Sequence, residues 1–217
     1  MKKVVLVILN WNGWGMTLDC LQSLENIKSN GFSVEVVVVD NGSTDDSVER
    51  IQSSKFKVQS CLILGLGCGD AARLINEVWP KAQITGVEVD QKVVEIGKKY
   101  FGLGEIKNLK IIVGDALGIG SGGEKCDVCR EVRSEKWDLI LVDLYLGKEF
   151  PKEAEREKFL NGLKNILADG GMIIFNRLYY NKGYQEKADK FLTRVKSFFP
   201  EVKTKTVVTN LLILASF

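Results

Sequence analysis

Leu62-Ile63-Leu64-Gly65-Leu66-Gly67-Cys68-Gly69-Asp70 is the stretch whose reading decides how this chain folds. Three aliphatic residues run directly into glycines at alternate positions. The turn then opens an amphipathic segment over residues 70–79, which Pro80 closes. Glycines at that spacing let the backbone turn sharply and approach a ligand without interference from Cβ atoms. The pattern is that of a buried strand, a ligand-facing turn and a covering helix.

The same alternation continues on the carboxyl side. Short β-branched runs at 84–89, 110–113, 139–142 and 172–175 read as strands, and residues 93–100, 153–167 and 184–199 carry helical spacing. Two further runs, 203–208 and 211–215, flank Thr209-Asn210, which reads as a hairpin turn. Strands alternating with helices predict an α/β fold, a doubly wound and mostly parallel sheet covered on both faces. The closing hairpin places an antiparallel strand at one edge. Residues 117–136 break the rhythm: they are rich in Gly and charge, carry Cys126 and Cys129, and read as an insertion or lid.

On the amino side, apolar runs at 4–9 and 34–39 read as buried parallel strands, residues 17–29 and 45–52 as helices, and 55–58 as a brief strand. This βαβα unit, residues 1–59, precedes a main domain over 60–217. The opening Met1-Lys2-Lys3 and its apolar run are too short for a signal peptide, and no membrane span is expected. Five cysteines, an odd number, do not form a disulfide framework, so a soluble, cytoplasmic setting is expected.

Composition narrows the chemistry. Of 217 residues, 45% are apolar and 27% charged, which is globular usage. No histidine is present, which removes Ser-His-Asp and Cys-His catalysis and every histidine-dependent zinc site. A net charge of +2 gives no field for nucleic acid. The chemistry must then rest on carboxylates, thiols, hydroxyls, Lys, Arg or a bound cofactor, and carboxylates stand at several strand ends. Glu88 falls 19 residues beyond Gly69 near the end of its strand, where a carboxylate can accept both ribose hydroxyls. Gly114-Asp115-Ala116 follows the next strand, offering an acceptor for an exocyclic amine, and Asp143 ends the strand after that. Four elements on successive strand ends outweigh the plainer reading, in which the glycines only make a turn and the acids cap helices.

From about Cys61 onward the chain resembles the Rossmann-like S-adenosylmethionine-dependent transferases, in their spermidine-synthase-like branch. The residues that carry this are LILGLGCGDAARL, ITGVEVDQKVVEIGKKYFGL, IIVGDA, WDLILVDLYLG and LADGGMIIFNRL. The resemblance implies a Rossmann-like methyltransferase sheet that binds S-adenosylmethionine or decarboxylated S-adenosylmethionine. It implies that Gly65, Gly67 and Gly69 approach the nucleoside and its methionine-derived part, that Glu88 binds ribose, and that Asp115 with Ala116 binds adenine. Asp143 corresponds to the catalytic aspartate that orients or deprotonates the attacking amine. Two positions depart from the family. Cys68 stands where an aspartate holds the aminopropyl ammonium, and Leu146 where a second aspartate helps bind the diamine. Desolvating a diammonium without anionic partners is costly, so a polyamine acceptor is not expected. The acceptor is a small molecule that the sequence does not identify, and the sequence leaves a homo-oligomer open.

Residues 3–58 carry a second resemblance, to the opening of a family 2 glycosyltransferase of the GT-A fold, on VVLVILNWNGWGMTLDCLQSLENI and VEVVVVDNGSTDDSVERI. It implies that Asp40 contacts the uracil of a UDP-sugar, with Asn10 to Asn12 beside the nucleotide. No metal-binding Asp-x-Asp follows in context, so sugar transfer would lack its leaving-group stabilisation. The plainer reading is a turn plus a helix cap, with Ser43 and Asp46 spaced as a capping box. Cys126 and Cys129 have zinc-knuckle spacing without an obvious third ligand; the alternative is two exposed thiols in a loop. Three functional readings therefore stand: a sulfonium-nucleoside-dependent transferase, a UDP-sugar-dependent family 2 glycosyltransferase-like protein, and a non-catalytic nucleoside-binding module.

Overall fold

The computed structural model describes residues 2–24, 31–54, 58–120 and 127–217. They form two compact units, Met1–Lys57 and Val58–Phe217.

In the first unit, β1 (Lys2–Asn10) leads through α1 (Trp14–Leu24) to β2 (Phe32–Asp40), and α2 (Ser47–Ser54) follows. β1 and β2 pair in parallel, in register from Lys2 with Phe32 to Asn10 with Asp40. Parallel pairing is as expected, but burial is not. Leu6 and Ile8 are half-buried, whereas Val5, Val7 and Leu9 on the opposite face stay exposed. The reason is architectural: these strands make a two-stranded sheet of their own, and alternate side chains then lie on a face that no described element of this unit covers. The capping box is also replaced. α2 starts at Ser47, whose N–H donates to Asp45 Oδ1 at 3.0 Å, while the Ser43 hydroxyl donates to Asp40 Oδ1. Parts of two expected elements, residues 25–29 of the first helix and 55–57 of the brief strand, lie outside the described residues.

The second unit runs β3 (Ser60–Leu64), α3 (Asp70–Val78), β4 (Gln83–Glu88), α4 (Gln91–Tyr100), β5 (Leu109–Val113), α5 (Asp127–Arg133), β6 (Trp137–Val142), α6 (Glu157–Ile166), β7 (Leu167–Leu178), α7 (Lys182–Phe198), β8 (Glu201–Val207) and β9 (Asn210–Ser216). The sheet order is β5-β4-β3-β6-β7-β9-β8, parallel from β5 to β7. β9 runs antiparallel to both β7 and β8. This is a mixed α/β fold, mostly parallel, with a C-terminal antiparallel hairpin. β3 is the middle one of the five parallel strands, with Cys61 to Leu64 wholly enclosed, so both sheet faces are covered there. Each fully buried Leu, Ile or Phe stabilises the fold by about 1.5–3 kcal/mol. Phe159, Phe175, Phe191 and Phe199 extend that core under α6 and α7.

Several expectations change in detail. The antiparallel strand is not at the edge: β9, with alternate residues buried, is slotted inside, and β8, with Lys203 and Lys205 exposed, forms the rim. Charged side chains on a rim strand discourage pairing with another chain. The hairpin turn is Val208-Thr209 rather than Thr209-Asn210, since Val207 pairs with Asn210; Val208 adopts φ 50° to close it. The helix expected over 153–167 begins instead as a 3₁₀ turn, Lys152–Glu155, and restarts at Glu157 after extended Arg156. Residues 117–136 are not a structureless insertion. A 3₁₀ turn spans Ala116–Gly120 and α5 follows, with 121–126 outside the described residues. Cys126 therefore also lies outside them, and Cys129, expected in an exposed loop, faces the core from α5 at 2% exposure. Among the described residues no helix is long and apolar enough to cross a membrane, and no group of three metal-ligating side chains converges.

Candidate active site

The chain lays down β3, β4 and β5 in one direction and then returns to place β6 on the other side of β3. Where the order reverses, connections leave the strand ends in opposite directions and a crevice opens. Here it is a cavity of about 490 Å³, and Gly65, Gly67, Glu88, Asp115, Ala116 and Asp143 all line it. Six of the seven site residues read from the sequence thus converge. Gly69 does not line the cavity.

The three glycines do three different jobs. A Cβ on Gly65 would lie 2.2 Å from the carbonyl oxygen of Asp143, and Gly65 has φ +92°; it lets the ends of β3 and β6 touch. A Cβ on Gly69 would lie 2.3 Å from Leu103 Cδ1, so this glycine seats the turn against a buried leucine and caps α3. Gly67 alone has open space where its Cβ would be. Its N–H donates to Glu88 Oε2 at 2.9 Å, and Asp90 N–H donates to Glu88 Oε1 at 3.1 Å. Two backbone amides therefore fix the Glu88 carboxylate, which is 9% exposed, with lone pairs left over for a ligand. Asp115 Oδ1 accepts the Leu117 N–H at 2.9 Å, and Ala116 is buried behind it.

Asp143 follows β6, its N–H bonded to Leu64 O at 2.8 Å. Solvent reaches it, yet protein surrounds it on most sides. That desolvation pushes its carboxyl above the ordinary aspartate value, and the hydrogen bond that Asn176 Nδ2 donates to Oδ1 at 2.9 Å partly opposes the shift. Asn176 is itself oriented by Asn210, whose Nδ2 donates to Asn176 Oδ1 at 2.7 Å. Neither asparagine was legible as a site residue, because each reaches Asp143 only through the β6-β7-β9 neighbourhood. The polar Asn176 at the end of an apolar run was the available signal. Cys68 lines the crevice, and Leu144, Tyr145 and Leu146 edge it, as their positions beside Gly67 and Asp143 imply. Cys61, enclosed in β3, has its thiol pushed up to about 12 by burial and is inert.

In the first unit, Asp40 has its own carboxylate fully engaged. Oδ1 accepts from Asn10 Nδ2 at 2.7 Å and Ser43 Oγ at 2.6 Å; Oδ2 accepts from the amides of Ser43 and Gly42 at 2.9 and 3.1 Å. Those bonds, Ser43 first and then Asn10, hold it below the usual aspartate value. Asn12 is likewise taken up by the backbone of Thr44 at 2.8 Å. The strand ends are closed by their own side chains, which keeps the turn of the plainer reading without its Ser43–Asp46 capping box.

A mostly parallel sheet with a glycine turn after its central strand and acids on the following strand ends is the architecture of Rossmann-like methyltransferases and spermidine synthases. The spermine/spermidine synthase domain matches residues 50–213, and the chain belongs to that family. A polyamine aminopropyltransferase from Vibrio vulnificus is 26% identical over 161 residues, 72% of this chain and 51% of that protein. The human eEF1A lysine and N-terminal methyltransferase is 31% identical over 143 residues, 64% of this chain and 20% of that protein. The chain thus spans about half the length of the first relative and a fifth of the second. Among solved structures, human methyltransferase-like protein 13 in complex with SAH superposes with a TM-score of 0.58 at 24% identity, covering 73% of this chain and 72% of that one. The glycosyltransferase resemblance of residues 3–58 finds no support in these comparisons.

Proposed function

We propose that the second unit is a transferase that binds S-adenosylmethionine or its decarboxylated form in the crevice and moves a methyl or aminopropyl group to a nucleophile on an acceptor. The observation that carries this reading is the convergence of Gly67, Glu88, Asp115 and Asp143 on one cavity at the switch point. Its volume lies in the range of small-molecule sites, about 300–1,000 Å³. Gly67 leaves a cradle that a side chain would fill, and Glu88 is held by two amides with acceptor capacity to spare. These features fit a ribonucleoside. The relatives are aminopropyltransferases and methyltransferases, which supports a transferase.

When bound, the sulfonium supplies an electrophilic carbon and a neutral thioether as leaving group. The chain's own task is alignment and proton removal. Glu88 would accept hydrogen bonds from the ribose hydroxyls, and Asp115 would accept one from the adenine amine. Asp143, its proton affinity raised by desolvation, takes the nucleophile's proton while Asn176 holds its orientation; such a base contributes about 10²–10⁴-fold to rate. Cys68 and Leu146 give no anionic partner to an ammonium, which favours methyl over aminopropyl transfer.

Calorimetric titration with each ligand, with Asp115→Ala as control, tests this. Tighter binding of S-adenosylmethionine, weakened at least tenfold in the variant, is the expected result. Preference for the decarboxylated ligand would replace methyl by aminopropyl transfer, and no binding of either would overturn the reading.

A further inference from the structure

Beside the crevice, on the other side of Tyr145, lies a second and smaller cavity of about 180 Å³. Tyr145 lines both. It is a fixed wall: its hydroxyl accepts the Leu178 N–H at 2.8 Å and donates to Asn176 O at 3.2 Å. The smaller cavity is lined by Arg177, Lys148, Lys152, Lys187 and Lys190, against two carboxylates, Glu149 and Glu155. Glu155 pairs with Arg177 at 2.8 Å, and Glu149 with Lys187 at 2.8 Å. Lys148, Lys152 and Lys190 make no ion pair among the described residues. Three positive charges therefore stand in excess around a space too small for a whole cofactor and sized for one ionic group.

Arg177 makes the cavity a built site rather than a cluster of surface lysines. Its side chain is only 5% exposed, and its guanidinium packs on two adjoining rings, 4.0 Å from the Phe150 centroid and 4.6 Å from the Phe191 centroid. Nη2 is spent on Glu155, while Nη1 is buried with no hydrogen-bond partner among the described residues. An unpaired buried donor on a charged group is costly, and native structures retain few of them without a ligand, water or ion to answer them. The planar guanidinium suits an oxyanion, and its packing on the two rings together with the Glu155 pair fixes its orientation in advance.

We propose that this cavity is an oxyanion-binding subsite that takes a phosphate or carboxylate carried by the acceptor, placing the acceptor's nucleophile past Tyr145 toward Asp143. The assignment of the anion to the acceptor rests on the transferase reading of the crevice; the subsite itself does not. It inverts the charge expected of an acceptor in a polyamine synthase, since a diammonium would meet excess cations there.

The test is titration of the nucleoside-free full chain with inorganic phosphate and, separately, succinate, followed calorimetrically and by ³¹P line broadening. Binding of either, weakened about tenfold or more in Arg177→Lys and several-fold in the exposed pair Lys152→Ala/Lys190→Ala, supports the subsite. The stronger of the two ligands tells a phosphorylated from a carboxylated acceptor. The lysine pair keeps the test valid if Arg177→Lys fails to fold. Absence of binding, equal binding in wild type and the lysine variant, or saturable binding of putrescine that phosphate does not affect would overturn it. S-adenosylmethionine titrated into the wild-type chain reads the crevice independently, so loss of that binding with phosphate binding intact would sink the transferase reading and leave the subsite standing.

Discussion

Strands β1 and β3 are both parallel, both rich in Val, Ile and Leu, and both run into a turn with glycine, yet Ile63 is fully enclosed while Val7 keeps 60% of its surface. β3 has a hydrogen-bonded neighbour on each side; among the described residues β1 pairs with β2 alone. An apolar run therefore announces a strand, and the number of layers around it decides what it buries. The strand ends differ in the same way. Beyond β1, Asn10, Asn12, Asp40 and Ser43 satisfy one another. Beyond β3, Gly67 borders open space, and the acids there keep acceptor capacity. One strand end is closed by its own polar groups, and the other leaves them for a ligand.

The largest effect expected from this contrast is at Gly65. Gly65→Ala puts a methyl into the Asp143 carbonyl at a positive φ, and should cost roughly 3–5 kcal/mol together with nucleoside binding. Denaturant unfolding and calorimetry read both; near-wild-type behaviour would break the claim that β3 and β6 touch there. Next comes the strand pair itself. Ile63→Ala should lose about 2–5 kcal/mol, and Val7→Ala less than about 0.5 kcal/mol. Equal losses in thermal melts would mean that β1 is as covered as β3.

A third difference is confined to one unit. Asp40→Ala should abolish amide protection at Gly42 and Ser43 without moving the melting of the second unit. Because the bonds to Asp40 lower its carboxyl, their contribution is present above the ordinary value of 3.8 and is lost as pH falls through the lower folded-state value. Hydrogen exchange against pH checks this. The smallest effect has the opposite sign. Asp143 is raised, so its charged form weighs against the fold as pH climbs above 3.8 through the folded-state value. Asp143→Asn should melt slightly higher than wild type at pH 7, by no more than a few degrees, and converge with it in acid. A lower melting point at pH 7 would show that the desolvation argument is wrong.

The glycine turn, Glu88 and Asp143 were legible because they sit at strand ends in fixed order along the chain. What escaped was contact across the sheet. Asn176 and Asn210 lie 33 and 67 residues from Asp143, and only strand order brings them together. Arg177 falls just past the run read as a strand, 172–175, and nothing local announces that it packs on Phe150 and Phe191. Gly69 looked equivalent to Gly67 until Leu103, distant in sequence, took up the space beside it.

The most direct test of the central claim is hydrogen exchange of the full chain with and without S-adenosylmethionine. The account predicts new protection at residues 65–71, 88–90, 114–117 and 143–146, with none over 3–54. Protection concentrated around Asp40 to Ser47, or no protection at either strand end, would contradict it.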